Sequence, residues 1–194
     1  MGNIKKFFKS PWPWAFLFGI FCIHLVQLYS QARLSAPPPW VVVGPWSLVD
    51  SQSKAFGSED LKGKVVIASF FFTRCPTVCP KLMQAMQEER KRFLNLLDQV
   101  AFVSISIDPE YDSAQALEAY RHQHDFDWTF LTGSMEQVQH VIEGQMKFGL
   151  GAEHHVAELI LLDQNGDVRG KFGTDPAGLA SLEKAAKFLV SHPL

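Results

Sequence analysis

Cysteine is scarce in this chain, three in 194 residues, and positive charge is not in excess: 18 Lys and Arg against 20 Asp and Glu leave a formal net charge of −2. A body with that balance has no electrostatic hold on a phosphate backbone, so nucleic acid is excluded as a partner. No internal repeat and no low-complexity tract is present, which sets aside solenoid and biased-composition classes. An Arg- and Ser-rich leader is also missing, which favours a bacterial envelope over an organelle. What is present is 47% hydrophobic residues, enough to bury the core of one domain of about 150 residues.

The first residues are basic, with Lys5, Lys6 and Lys9 ahead of any acidic residue, and an apolar run follows from Trp14 to Tyr29. That run is short against the roughly 20 residues of a spanning helix, yet Trp12, Trp14 and Tyr29 stand where interfacial aromatics belong. The pattern predicts a basic cytoplasmic N-terminus over 1–13, a single transmembrane anchor over 14–29 and an exported remainder. A cleaved signal peptide is the competing reading, because Ser30-Gln31-Ala32 offers small residues for cleavage. Cys22 and His24 fall inside the apolar run. Residues 30–45 read as a tether stiffened by Pro37-Pro38-Pro39, ahead of a domain over 46–194.

The chemistry concentrates in Ser69-Phe70-Phe71-Phe72-Thr73-Arg74-Cys75-Pro76-Thr77-Val78-Cys79-Pro80, where an apolar strand meets a helix. Cysteines four apart on a helix share a face, with Cα atoms about 6 Å apart, close enough for a disulfide or one shared metal ion. A thiol at a helix N-terminus sits in the positive end of the dipole, which lowers its pKa. Such a pair closes only a tiny loop, so cross-linking adds little to folding. Reactivity or ligation is the better reason for it, and prolines after both cysteines fix the turn.

Apolar periodicity gives the rest of the domain. Trp46 to Phe56 reads as a β-hairpin with its turn near Asp50 to Ser53, 64–72 and 100–107 as buried strands, 128–132 as a short strand, and 157–162 with 168–172 as a second hairpin around Gln164-Asn165-Gly166-Asp167. Helices are expected over 80–98, 113–125, 135–147 and 177–190, two of them opened by capping boxes at Asp112/Gln115 and Ser134/Gln137. The β-helix-β order makes 64–72 and 100–107 parallel. Parallel strands, an antiparallel hairpin and a closing helix describe an α/β domain of thioredoxin-like fold, here with an N-terminal β-hairpin extension and preceded by one transmembrane helix.

This topology sorts the histidines. His122 and His124 end a helix at the edge away from the cysteines, and His140 and His192 read as solvated. A strand antiparallel to 64–72 begins where 64–72 ends, which brings His154 and His155 to the cysteine loop. Asp108, at the C-terminal end of a parallel strand, points to the same region, where its side chain could also cap the following turn.

With Asp60-Leu61-Lys62-Gly63-Lys64, the CPxxCP core, Ser106-Ile107-Asp108-Pro109, Leu131-Thr132-Gly133, and His155 eight residues before Asp163, the chain from Trp46 onward resembles the Sco/SenC family. These are membrane-tethered thioredoxin-like copper proteins of cytochrome c oxidase assembly. The resemblance implies that Cys75, Cys79 and His155 ligate copper, with His154, where the family usually has Asp, and Asp108 standing behind them. Two thiolates suit Cu(I) and an added imidazole suits Cu(II), although zinc accepts the same donors.

The implied function is a metallochaperone with a redox-active Cys75–Cys79 pair, serving the copper-binding subunit of the oxidase. It would act from the periplasmic side of the bacterial inner membrane, with a periplasmic thiol reductant or copper donor as a further partner. A thiol-disulfide oxidoreductase, reducing the oxidase's copper-site cysteines or defending against oxidants, is the alternative. The CxxxC spacing and His155 favour the chaperone.

Overall fold

The structure, a computed structural model, describes residues 18–23, 39–148 and 157–193. The chain divides into two units, Met1–Pro37 and Pro38–Leu194. In the first, residues 18–23 are helical, and the rest of the anchor expected over 14–29 lies outside the described residues. No helix among the described residues is long and apolar enough to cross a membrane.

In the second unit the strands are β1 (Ser47–Asp50), β2 (Ala55–Gly57), β3 (Val65–Phe71), β4 (Val100–Ser106), β5 (Thr129–Thr132), β6 (Glu158–Leu162) and β7 (Val168–Gly173). The helices are α1 (Val78–Arg92), α2 (Ala114–Gln123), α3 (Met135–Gln139, running on as a π-helical stretch His140–Gln145) and α4 (Pro176–Ser191). The strands form one sheet in the order β2-β1-β5-β4-β3-β6-β7. β3, β4 and β5 are parallel, and β6 runs antiparallel to β3. This is the thioredoxin-like arrangement expected, with the β1–β2 hairpin added beside β5.

Alternation along each strand separates two faces. Val66 and Ala68 of β3, Val103 and Ile105 of β4, Leu131 of β5 and Ile160 and Leu162 of β6 share one face and pack with Val138, Val141, Ile142 and Met146 of the α3 region. The opposite face carries Ile67, Ser69 and Phe71, in register with Phe102, Ser104 and Ser106 of β4. The β6–β7 turn is the expected one, with Gly166 at φ 88°, a conformation that glycine adopts without steric cost.

Three local expectations change. Helix α1 starts earlier and ends earlier than 80–98. Arg90, Lys91 and Arg92 complement the C-terminal end of its dipole, Phe93 drops into the core, and Leu94–Leu96 forms a 3-10 turn. The cap of α2 is Ser113, whose hydroxyl accepts from the Ala116 N–H, rather than Asp112. The Ser134/Gln137 capping box of α3 is present as expected. Ahead of β1, the chain is tied to the domain before Trp46: Trp40 N–H donates to the Val168 carbonyl at 2.8 Å, Val43 N–H to Asp167 Oδ1 at 2.9 Å and Gly44 N–H to Gln145 Oε1 at 2.7 Å.

Candidate thiol and metal site

Strand β3 ends at Phe71 and α1 begins at Val78, so Cys75, on the turn between them, and Cys79, at the start of α1, lie at the C-terminal edge of the sheet centre. Cys75 is not on the helix. It precedes the N-cap residue Thr77, whereas Cys79 occupies the first turn and Pro80 follows at a position where the missing N–H costs no helical bond. The two therefore meet across the helix N-terminus rather than along one helical face. Cys79 N–H donates to Cys75 Sγ at 3.4 Å. Both side chains are buried, at 8% and 6% exposure, and neither is in a disulfide.

Their acidities diverge. Burial pushes the Cys75 thiol up, but the N–H groups of Cys79, Thr77 and Val78 and the Cys79 thiol together outweigh it, and its pKa falls to about 7. These are the unsatisfied donors of a helix N-terminus, and a sulfur anion is what they favour. Cys79 is pushed up to about 12, first by burial and then by the neighbouring charges of Cys75 and Asp112, against a lowering bond from the Phe72 backbone. At neutral pH the pair thus offers one thiolate-forming sulfur and one protonated sulfur. Two soft donors within reach of one ion fit a soft metal; the same pair fits thiol-disulfide exchange.

Asp112, read from sequence as a helix cap, is instead the buried anchor of this turn. Its carboxylate accepts from Thr73 N–H at 3.0 Å, from the Thr73 hydroxyl and from Ser106 Oγ at 2.6 Å. Tyr111 and Asp112 N–H groups both bond the Asp108 carbonyl, which turns the Asp112 side chain inward toward a loop 39 residues earlier. The Ser-x-Asp-Pro-x-x-Asp spacing was the only local signal for it.

Asp108 does reach the cysteine edge, but it caps nothing with its side chain. Its Oδ2 meets Arg74 Nη2 at 2.7 Å, and the Arg74 guanidinium lies over the Tyr111 ring at 3.3 Å. Tyr120, missed in the sequence, packs on Phe71, and burial followed by the nearby charges of Cys79 and Asp112 pushes its pKa up to about 12, so it stays a neutral phenol. The histidines set aside have other partners: His122 with Glu118 at 2.9 Å, His124 against Tyr120, His140 with Gln145 at 3.2 Å and His192 against Phe188. His154 and His155 lie outside the described residues. The chain resumes at the Ala157 carbonyl, which accepts from Thr174 N–H, and enters β6 beside the end of β3. Among the described residues no three His, Cys, Asp or Glu side chains group to hold a metal ion.

Known proteins share this frame. The model of the SCO1/SenC family matches residues 36–189. A Stutzerimonas stutzeri protein described as copper-binding is 30% identical over 155 residues, 74% of this chain and 74% of its own length. Further curated relatives match over about half of their own length or less. Among solved structures, a SCO1/SenC family lipoprotein from Bacillus anthracis superposes with a TM-score of 0.70 at 28% identity, over 80% of this chain and 99% of that one. Arabidopsis thaliana ScoI with copper bound gives 0.62 at 26% identity, over 78% and 99%.

Proposed function

The chain belongs to the SCO1/SenC family, and from that premise we propose that its exported domain is a copper metallochaperone for assembly of the cytochrome c oxidase copper centre. The observation that carries the reading is the buried, unbridged Cys75–Cys79 pair held across the N-terminus of α1. Relatives solved with copper bound support copper as the cargo, and two thiolates are the donors that Cu(I) prefers. His155 is proposed as the third ligand, with His154 and Asp108 next to the site. Asp108 would act through Arg74, holding the residue that precedes Cys75 in place.

In this reading the helix N-terminus lets the Cys75 sulfur ionise near neutral pH, and Cys79 gives up its proton only when a stronger electrophile, such as a metal ion, arrives. That asymmetry lets the pair release its cargo by reprotonating Cys79. The apolar segment over 14–29 is proposed as a single-pass anchor in the bacterial inner membrane, with the domain on the periplasmic side. The copper-binding subunit of the oxidase is the proposed acceptor, and a periplasmic thiol reductant or copper donor the proposed supplier.

The acidity split also favours a second reading on the same residues, thiol-disulfide exchange. The Cys75 thiolate would attack a partner disulfide and expel a partner thiolate; Cys79, after losing its proton, would then resolve the mixed disulfide, leaving Cys75–Cys79 oxidised and the partner reduced. His155→Ala separates the two. Under limiting copper it should lose oxidase activity nearly as fully as Cys75→Ser and regain part of it with added copper, while still exchanging disulfides. Normal oxidase assembly in His155→Ala at low copper, with both cysteine variants inactive, would favour the exchange reading.

A further inference from the structure

At the sheet edge opposite the cysteines, the segment ahead of β1 displays two large apolar side chains to solvent. Val41 bridges Val168 at the start of β7, and Trp40 N–H bonds the Val168 carbonyl, so the segment runs as a short strand-like border on the second hairpin. Alternation then points Val41 and Val43 toward the body, where they pack on the core cluster. Trp40 and Val42 point outward, 63% and 75% exposed. The backbone on either side is held by Trp40 N–H to the Val168 carbonyl and by Val43 N–H to the Asp167 carboxylate, which fixes the alternation that turns Trp40 and Val42 outward.

We propose that Trp40 and Val42 form a lipid-contact border that rests the domain on the bilayer surface. The occupant follows from continuity of the chain. Only residues 30–39 separate this border from the apolar run ending at Tyr29, a reach of roughly 30 Å at full extension. Tryptophan is the side chain best suited to the interface between headgroups and acyl chains. The inference rests on the membrane-anchor part of the proposed function.

Its consequence is orientation. Val168 pairs with Leu162, which pairs with Val66 near the start of β3, whereas the cysteines follow Phe71 at the other end. Five strand residues separate the two edges, about 17 Å. With the Trp40 border against lipid, the Cys75–Cys79 turn faces away from the membrane, toward the exposed domain of an acceptor protein.

The test uses the full chain in nanodiscs, with Trp12→Phe and Trp14→Phe removing emission from the segment near the anchor and Trp46 and Trp128 left in the core. Brominated lipids should quench the emission share lost in Trp40→Tyr by about twofold or more relative to unbrominated lipids, and Trp40→Asp with Val42→Asp should lower the docked fraction about tenfold or more. If the chain floats with the nanodiscs but the Trp40 share is not quenched, the border is not a lipid contact and the anchor reading stands. Shielding that depends on protein concentration rather than bromination would make the border a contact between copies, and overturn the proposal. If the chain does not associate with lipid at all, both readings fall.

Discussion

The two faces of the central sheet are built from the same strands and solve different problems. Toward α3 the buried side chains are aliphatic and aromatic throughout, from Val66 and Val103 to Leu131 and Ile160. Toward α1 and α2 the same strands bury Ser69, Ser104, Ser106 and Thr132. Ser69 and Ser104 hydroxyls bond each other at 2.8 Å, Trp128 Nε1 donates to Ser104 at 2.8 Å, and Ser106 leads to Asp112 and so to the cysteine turn. Polar groups buried at this density are costly unless partnered; Thr132 Oγ1 has no partner among the described residues, whereas the serines are bonded and the Ser106 link to Asp112 fixes the position of the loop that carries the thiols. One face holds the fold together; the other also registers the site.

Substitutions should divide along that line. The largest expected effect is Leu131→Ala on the apolar face, which opens a cavity beside Ile105 and Ile142 and should cost about 3 kcal/mol in chemical denaturation. The alkylation midpoint of Cys75 should stay near 7, because the groups that lower it belong to Thr77, Val78 and Cys79 and not to the apolar face. A shift in the thiol titration would show that the two faces are coupled.

Asp112→Asn should cost less stability, about 1–2 kcal/mol, yet change the thiols. Removing its charge should lower the Cys79 pKa from about 12, seen as faster alkylation at high pH, and should loosen the Thr73 turn. Leu131→Ala and Asp112→Asn together make the comparison quantitative, since one moves stability alone and the other moves both readouts.

The pH dependence follows from the split cysteines. Cys75 is depressed from 9.0 to about 7, so its contribution to stability is full above 9 and fades as pH falls through 7. Cys79 is raised, so its contribution holds below 9 and is lost as pH climbs toward 12. Stability of the reduced protein should therefore rise from pH 7 to 9 relative to a Cys75→Ser variant, and fall above 9 relative to Cys79→Ser, in denaturant titrations.

The smallest effect is expected at Glu89, a carboxylate of α1 buried on the site-bearing face with Arg92 Nε 3.4 Å away. Burial pushes its pKa up, so it costs stability at neutral pH and ceases to do so in acid. Glu89→Gln should raise the thermal midpoint by about 2 °C at pH 7 and leave the thiols unchanged.

The contrast between faces also explains what could be read in advance. Val65 to Phe71 and Val100 to Ser106 announce themselves as buried strands because every residue is apolar or small, and the hairpin Asn165-Gly166 because only a left-handed residue closes it. Local patterns therefore located the strands and the thiol turn. Asp112 was legible only as a cap, because its partners Thr73 and Ser106 are brought to it by the fold rather than by spacing. Likewise Cys75 reads from spacing as a helical residue, whereas Pro76 and Thr77 delay the helix and place the sulfur before its N-terminus. The π-helical continuation of α3 had no sequence signal at all, since it depends on packing Val141 and Ile142 into the apolar face.

Whether the Cys75–Cys79 turn takes up copper is decided by anaerobic Cu(I) titration of the reduced full-length protein against a chromophoric competitor. The reduced protein should hold one ion tightly per chain, lost in Cys75→Ser and in Cys79→Ser, retained in Leu131→Ala, and weakened in His155→Ala. Uptake that persists in a Cys75→Ser/Cys79→Ser double variant, or no uptake by the reduced wild-type protein, would contradict copper binding at that turn.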